Sequence, residues 1–216
     1  MVWRQIDPME SRTGATGSTD GGCRREVLSA YESDVLARGL DVVFCGFNPA
    51  SSAAADGHNF SNRSNRFWSV VHLAGFTDVH LRPQDERRLL EYGCGITAVV
   101  ARPTRRAEEI STVEFRDARP AFEAKMRMYS PRVLAFLGKR AFLAMIGRSD
   151  VGWGRYPQAF ADCAVWILPN PSGLNRRFTV DALVEAYADL RNAVAHTDAG
   201  QRGADPDDTA ADSANG

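Results

Sequence analysis

The stretch Val42-Val43-Phe44-Cys45-Gly46-Phe47-Asn48-Pro49-Ala50-Ser51-Ser52 (VVFCGFNPASS) joins a continuous apolar run to a turn built on asparagine and proline. An apolar run of this length, with β-branched residues leading, reads as a buried strand. Gly46 permits a sharp turn or a close approach of backbone. Pro49 fixes its own φ and pushes Asn48 towards an extended conformation. The strand thus ends by holding an amide side chain at the edge of a sheet. Asn48 is then either a turn residue bonding its own backbone or a functional group.

Outward from this stretch, strands and helices alternate. The spacing of Val27, Leu28, Tyr31, Val35 and Leu36 predicts a helix that ends at Gly39. Asn65–Ala74 places Phe67, Val70, Val71 and Ala74 on one helical face. Pro83–Tyr92 opens with proline and closes before Gly93, as a helix does. Gly95–Val100 is the second strand, Thr112–Tyr129 a helix that contains Pro120, and Arg132–Leu137 the third strand. A helix over Lys139–Ile146 follows. Ala159–Phe160 and Val165–Leu168 read as strands, and Thr179–Ala195 as the last helix. The pattern predicts an α/β fold with a mostly parallel central sheet. Ligands of such sheets bind beyond the carboxyl ends of the strands. Three stretches lie there: GFNPASS, ARPTRR (Ala101–Arg106) and PNPSGLNRR (Pro169–Arg177).

The third stretch repeats the Asn-Pro pair and sets Leu174 between Gly173 and Asn175, beside Arg176 and Arg177. A leucine among arginines suits a wedge into a base stack; a leucine tucked into the core is the plainer reading. In GHNFSNRSNRFW (Gly57–Trp68), Phe60 stands in a polar run. It either stacks on a base or caps the core. Arg63 and Arg66 are candidates for phosphate contacts.

Composition bounds the rest. The chain has 216 residues, 44% hydrophobic and 25% charged, with a net charge of −1. That balance does not advertise a polyanion partner, so any nucleic-acid contact rests on locally grouped arginines. No apolar run is long enough to span a bilayer, and the N-terminus lacks the apolar core of a secretory signal. A cytoplasmic protein without a membrane partner is expected. Residues 1–24 and 197–216 read as disordered tails, the second acidic, around a domain over 25–196. Cys23, Cys45, Cys94 and Cys163 form no C-x-x-C pair, so neither a metal site nor an iron–sulfur cluster is expected. Cys45 and Cys163 read as buried reduced thiols.

Taken in order, GFNPASS, FSNRSNRFW, AGFTD, YGCGITAVVARPT, LGKRAF and ILPNPSGLNR resemble the mismatch-specific uracil-DNA glycosylases, the bacterial branch related to animal thymine-DNA glycosylases. The resemblance runs from about Leu40 to about Leu190. It implies a three-layer α/β/α fold with four parallel strands at its centre. It implies hydrolysis of the N-glycosidic bond of uracil opposite guanine in double-stranded DNA, leaving an abasic site, by a monomer without metal or cofactor. Asn48 matches the catalytic asparagine that positions water. Gly46, Phe47, Ala53, Phe60 and Asn170 match the base pocket, with Phe60 stacking on the flipped base. Backbone groups of Phe47 and Phe60 match those that bond the uracil edge. Pro171, Ser172, Gly173, Leu174, Asn175 and Arg176 match the loop that enters the duplex, with Leu174 as the wedge.

A neutral amide cannot take a proton at neutral pH. Asn48 would orient water, and fixed donors would stabilise the departing uracil anion. A slow enzyme is expected. The sequence leaves the family pattern at Ala50, Ala53, Ala98 and Asn175; Ala53 lacks a hydroxyl usual in the bacterial relatives, which opens the pocket to thymine or ethenocytosine. The alternative from another class is a mismatch-binding module with little turnover.

Overall fold

The computed structural model describes residues 34–202. Five strands form one sheet: β1 (Val42–Gly46), β2 (Cys94–Ala98), β3 (Val133–Leu137), β4 (Gly154–Phe160) and β5 (Cys163–Leu168). Their order is β2-β1-β3-β5-β4. The first four in that order are parallel, and β4 returns antiparallel along β5. The four-stranded parallel centre is as expected; the antiparallel fifth strand is longer than the two residues the sequence suggested. Only β4 is largely exposed, and it carries Pro157 and a register shift between Tyr156 and Phe160. Proline and irregular pairing belong on an edge strand, where a missing ladder donor costs least.

The helices are α1 (Ser51–Asp56), α2 (Phe67–Leu73), α3 (Thr112–Tyr129), α4 (Lys139–Ile146) and α5 (Val180–Arg202). Alternate residues of β1 face opposite layers. Val43 and Cys45 join Phe122, Met126 and Phe142 under α3 and α4. Val42 and Phe44 join Phe67, Val70, Leu183 and Tyr187 under α2 and α5. Helices therefore cover both faces, as parallel sheets require, and the three-layer α/β/α fold holds.

Helix α3 runs unbroken through Pro120, with Ser111 capping the Glu114 N–H at 3.1 Å. Pro83–Tyr92 has the expected bounds but is a 3₁₀ helix. Helix α1 had no signal: SSAAAD carries no apolar stripe. Residues 34–39, expected at the end of the first helix, are not helical. Instead Val35 exchanges two backbone hydrogen bonds with Ile96, at 2.8 and 2.9 Å, along the outer side of β2. Pairing an open sheet edge outweighed a helical periodicity. Helix α5 reaches Arg202, past the boundary read at 196. The start of the first predicted helix, the N-terminal tail and residues 203–216 lie outside the described residues. Among the described residues no helix is long and apolar enough to cross a membrane.

Candidate active site

Strand β1 lies between β2 and β3, so the chain leaves it on one side and resumes on the other. Such a reversal of strand order opens a crevice at the carboxyl ends. Here it holds a cleft of about 190 Å³, bordered by residues that follow β1, by the Phe60 segment, by Thr104–Ala107 and by the Asn170–Leu174 loop. The three stretches singled out from the sequence, and the Phe60 segment with them, meet at one place.

The Asn48 amide nitrogen donates to the Pro49 carbonyl at 3.0 Å, the Arg102 carbonyl at 3.0 Å and Thr104 Oγ1 at 2.8 Å. Thr104 donates its own hydroxyl hydrogen to the Arg106 carbonyl at 2.8 Å, which leaves a lone pair for Asn48. Turning the amide over would set its oxygen against two carbonyl oxygens, so the partners settle its orientation. Asn48 Oδ1 has no hydrogen-bond partner among the described residues. Asn48 does bond its own turn, but two of its three acceptors lie 54 and 56 residues away. Arg102 is held in turn by Glu114, whose two carboxylate oxygens accept at 2.7 and 2.9 Å. That hydrogen bond holds the Glu114 carboxyl below the usual carboxylate range.

Phe60 stacks on Phe67 with ring centroids 4.1 Å apart and planes at 27°, and Phe67 meets Phe44 edge-on at 5.3 Å. An aromatic column thus runs from β1 to the cleft. Phe60 adopts φ +54°, a left-handed conformation that costs a non-glycine residue about 1–2 kcal/mol. Its neighbour Asn59 is pinned: the Asn59 N–H and Nδ2 both donate to Glu86 Oε2, at 2.7 and 3.0 Å. Asn59 and Glu86 are both buried. Nothing in the sequence pairs residues 27 apart in this way, and Glu86 was missed. The Phe47 ring packs edge-on against Phe115, and its carbonyl accepts from the Val100 N–H at 3.0 Å. The Phe60 N–H makes no hydrogen bond among the described residues.

Leu174 is 88% exposed, so the reading that tucked it into the core is set aside. Asn170 Oδ1 accepts from the Ser172 N–H at 2.9 Å, and Asn175 Nδ2 donates to the Asn170 carbonyl at 2.9 Å. Asn175, a departure from the family pattern, therefore braces the loop internally. Gly173 admits no side chain, because a Cβ there would lie 2.4 Å from the Ser64 carbonyl oxygen. Arg66, considered for a phosphate, donates instead to the carbonyls of Pro171, Ser172, Asn175 and Phe178 at 2.7–3.2 Å. Arg63, Arg105, Arg106, Arg176 and Arg177 are exposed around this face, and none has an ion-pair partner among the described residues.

The cleft's chemistry is narrow. Its lining holds Asn48, Asn59, Asn62, Asn65 and Asn170, with Ser, Thr and apolar groups, and among the described residues its ionisable side chains are Arg105 and Arg106. Among the described residues no carboxylate, imidazole, amine or thiol borders it. Ala50, Ala53 and Ala98 all line it, so these departures sit where a ligand would be read. Cys45, Cys94 and Cys163 are buried and free, as read for Cys45 and Cys163. Burial pushes the Cys163 thiol up to about 11 and Cys94 up to about 12, so both stay protonated at neutral pH.

Among solved structures, the solution NMR structure of a candidate uracil DNA glycosylase from Methanosarcina acetivorans is similar at 21% identity. The match covers 74% of this chain and 94% of that one, with a TM-score of 0.47. The family model of the uracil DNA glycosylase superfamily matches residues 34–191, a span that holds all five strands and every segment bordering the cleft. On that match the chain belongs to the uracil DNA glycosylase superfamily.

Proposed function

We propose that this protein excises uracil opposite guanine from double-stranded DNA by hydrolysis, leaving an abasic site. The observation that carries the reading is the pairing, on one cleft, of an amide locked with its oxygen free and a leucine held out in solvent. A glycosidic bond inside a base stack is out of reach, so the nucleotide must be extruded and its gap filled. Leu174 fills the gap, and the extruded uracil enters the cleft against Phe60. The C1′–N1 bond breaks with its electron pair going to uracil N1. Water held by Asn48 Oδ1 adds to C1′, and its proton passes to solvent. The Phe60 N–H and Asn170 Nδ2 are the donors available to the uracil anion. Ala53, buried in the first turn of α1, offers no polar contact, so the pocket extends to thymine and ethenocytosine.

The direct test is a labelled duplex with one G·U pair, incubated with excess protein and then cleaved at abasic sites by alkali. A strand break at the uracil position is expected. Binding without any break would instead favour a lesion-binding module.

A cleft whose described lining holds no carboxylate, imidazole, amine or thiol also predicts a flat pH profile. The single-turnover rate should change less than about threefold between pH 6 and pH 9, because the described lining offers no carboxylate, imidazole, amine or thiol for general acid–base work. A bell-shaped profile with a limb near neutrality would require an ionising group that the cleft lining does not contain.

A further inference from the structure

We propose that Arg66 is a positioning residue, which holds the Asn170–Phe178 segment in the shape that presents Leu174 and ties that segment to the base-stacking aromatics. The proposal rests on the glycosylase reading above. Leu174 makes too little contact to be placed by burial, at 88% exposure. Its position must come from the backbone on either side. Four carbonyls of that backbone converge on one guanidinium: Pro171 on Nε at 3.2 Å, Ser172 and Asn175 on Nη2 at 2.9 Å each, and Phe178 on Nη1 at 2.7 Å. The Arg66 N–H adds a second bond to the Pro171 carbonyl at 3.1 Å. These partners stand on both sides of Leu174, so the fork closes the loop at its base.

Arginine suits this role for a geometric reason. Its planar fork carries five N–H donors in fixed directions, whereas lysine has three on one rotating atom. The same residue precedes α2, whose first residue Phe67 supports Phe60. One side chain therefore joins the element that stacks on the extruded base to the element that replaces it. All three of its guanidinium nitrogens donate within the protein, whereas Arg63 and Arg176 are exposed.

The test is a double-mutant cycle in the full chain. Arg66→Lys, Leu174→Ala and the double variant are compared for single-turnover excision from a G·U duplex, and for the salt dependence of duplex binding. Arg66→Lys is expected to slow excision about 10-fold or more, with the slope of log affinity against log salt unchanged. In the Leu174→Ala background it should cost no more than about twofold, since the leucine it places is gone. Additive losses would overturn the proposal. So would a salt slope shallower by about 0.9 in Arg66→Gln, which removes the charge and would reveal one lost phosphate contact, or a wild-type rate in Arg66→Lys. If Arg66→Lys is unfolded at the assay temperature, Arg66→Gln keeps a planar pair of donors for two of the carbonyls and is read in the same cycle. Wild-type protein that excises nothing would fail the glycosylase reading instead, so the two failures are distinct.

Discussion

Asn48→Ala is expected to slow uracil excision by about 10²-fold or more under single-turnover conditions, while duplex binding survives. The cleft asparagines Asn62, Asn65 and Asn170 each have their side-chain oxygen engaged by a backbone N–H, of Ser64, Phe67 and Ser172. Misplacing a reacting water by about 1 Å costs on the order of 10²-fold. The amide is held by three acceptors, two of them on the Arg102–Thr104 segment, so its placement is rigid rather than statistical. The same bonds tie the turn after β1 to the segment after β2. Their loss should lower stability by roughly 1–2 kcal/mol, since each such bond contributes about 0.5–1.5 kcal/mol and water replaces part of it. Melting temperature and duplex affinity therefore accompany the rate measurement. An alanine variant that folds, binds and excises as fast as wild type would remove Asn48 from the mechanism.

Leu174→Ala should reduce excision from duplex DNA by about 10- to 100-fold. Keeping a nucleotide extruded costs a few kcal/mol of lost stacking, and a wedge in the vacated space offsets part of that cost. Stability should be unchanged within about 0.5 kcal/mol, because the side chain is 88% exposed. That combination, a large functional loss with no change in melting, is what separates a wedge from a core residue. Uracil in an unpaired bubble should suffer much less, since its extrusion is already complete. Equal losses on paired and unpaired substrates would contradict the wedge.

The parts of the fold that were legible in the sequence are those whose signal is local. Helix α4 and helix α3 have the bounds that caps and periodicity indicate, even across Pro120. The buried parallel strands read as apolar runs because both faces are covered. Where a distant partner decided the outcome, local reading failed. Residues 34–39 gave up a helical pattern to pair with Ile96. Arg66 looked like a surface cation and is a clamp on carbonyls more than 100 residues away. Asn175, read as a departure from the family pattern, braces its own loop through the Asn170 carbonyl.

The sequence by itself determined the superfamily and the layered α/β architecture, and it marked Asn48, Phe60 and Leu174 as the residues to watch, because residue type, order and spacing survive in a linear string. The tertiary structure alone decided which way the Asn48 amide faces, that no carboxylate, imidazole, amine or thiol among the described residues borders the cleft, and that Leu174 stands out in solvent. Those properties depend on what lies across space from a residue. The acceptors on Arg102 and Thr104, the carboxylate of Glu86 and the guanidinium of Arg66 come from segments that the chain brings together only when the sheet forms.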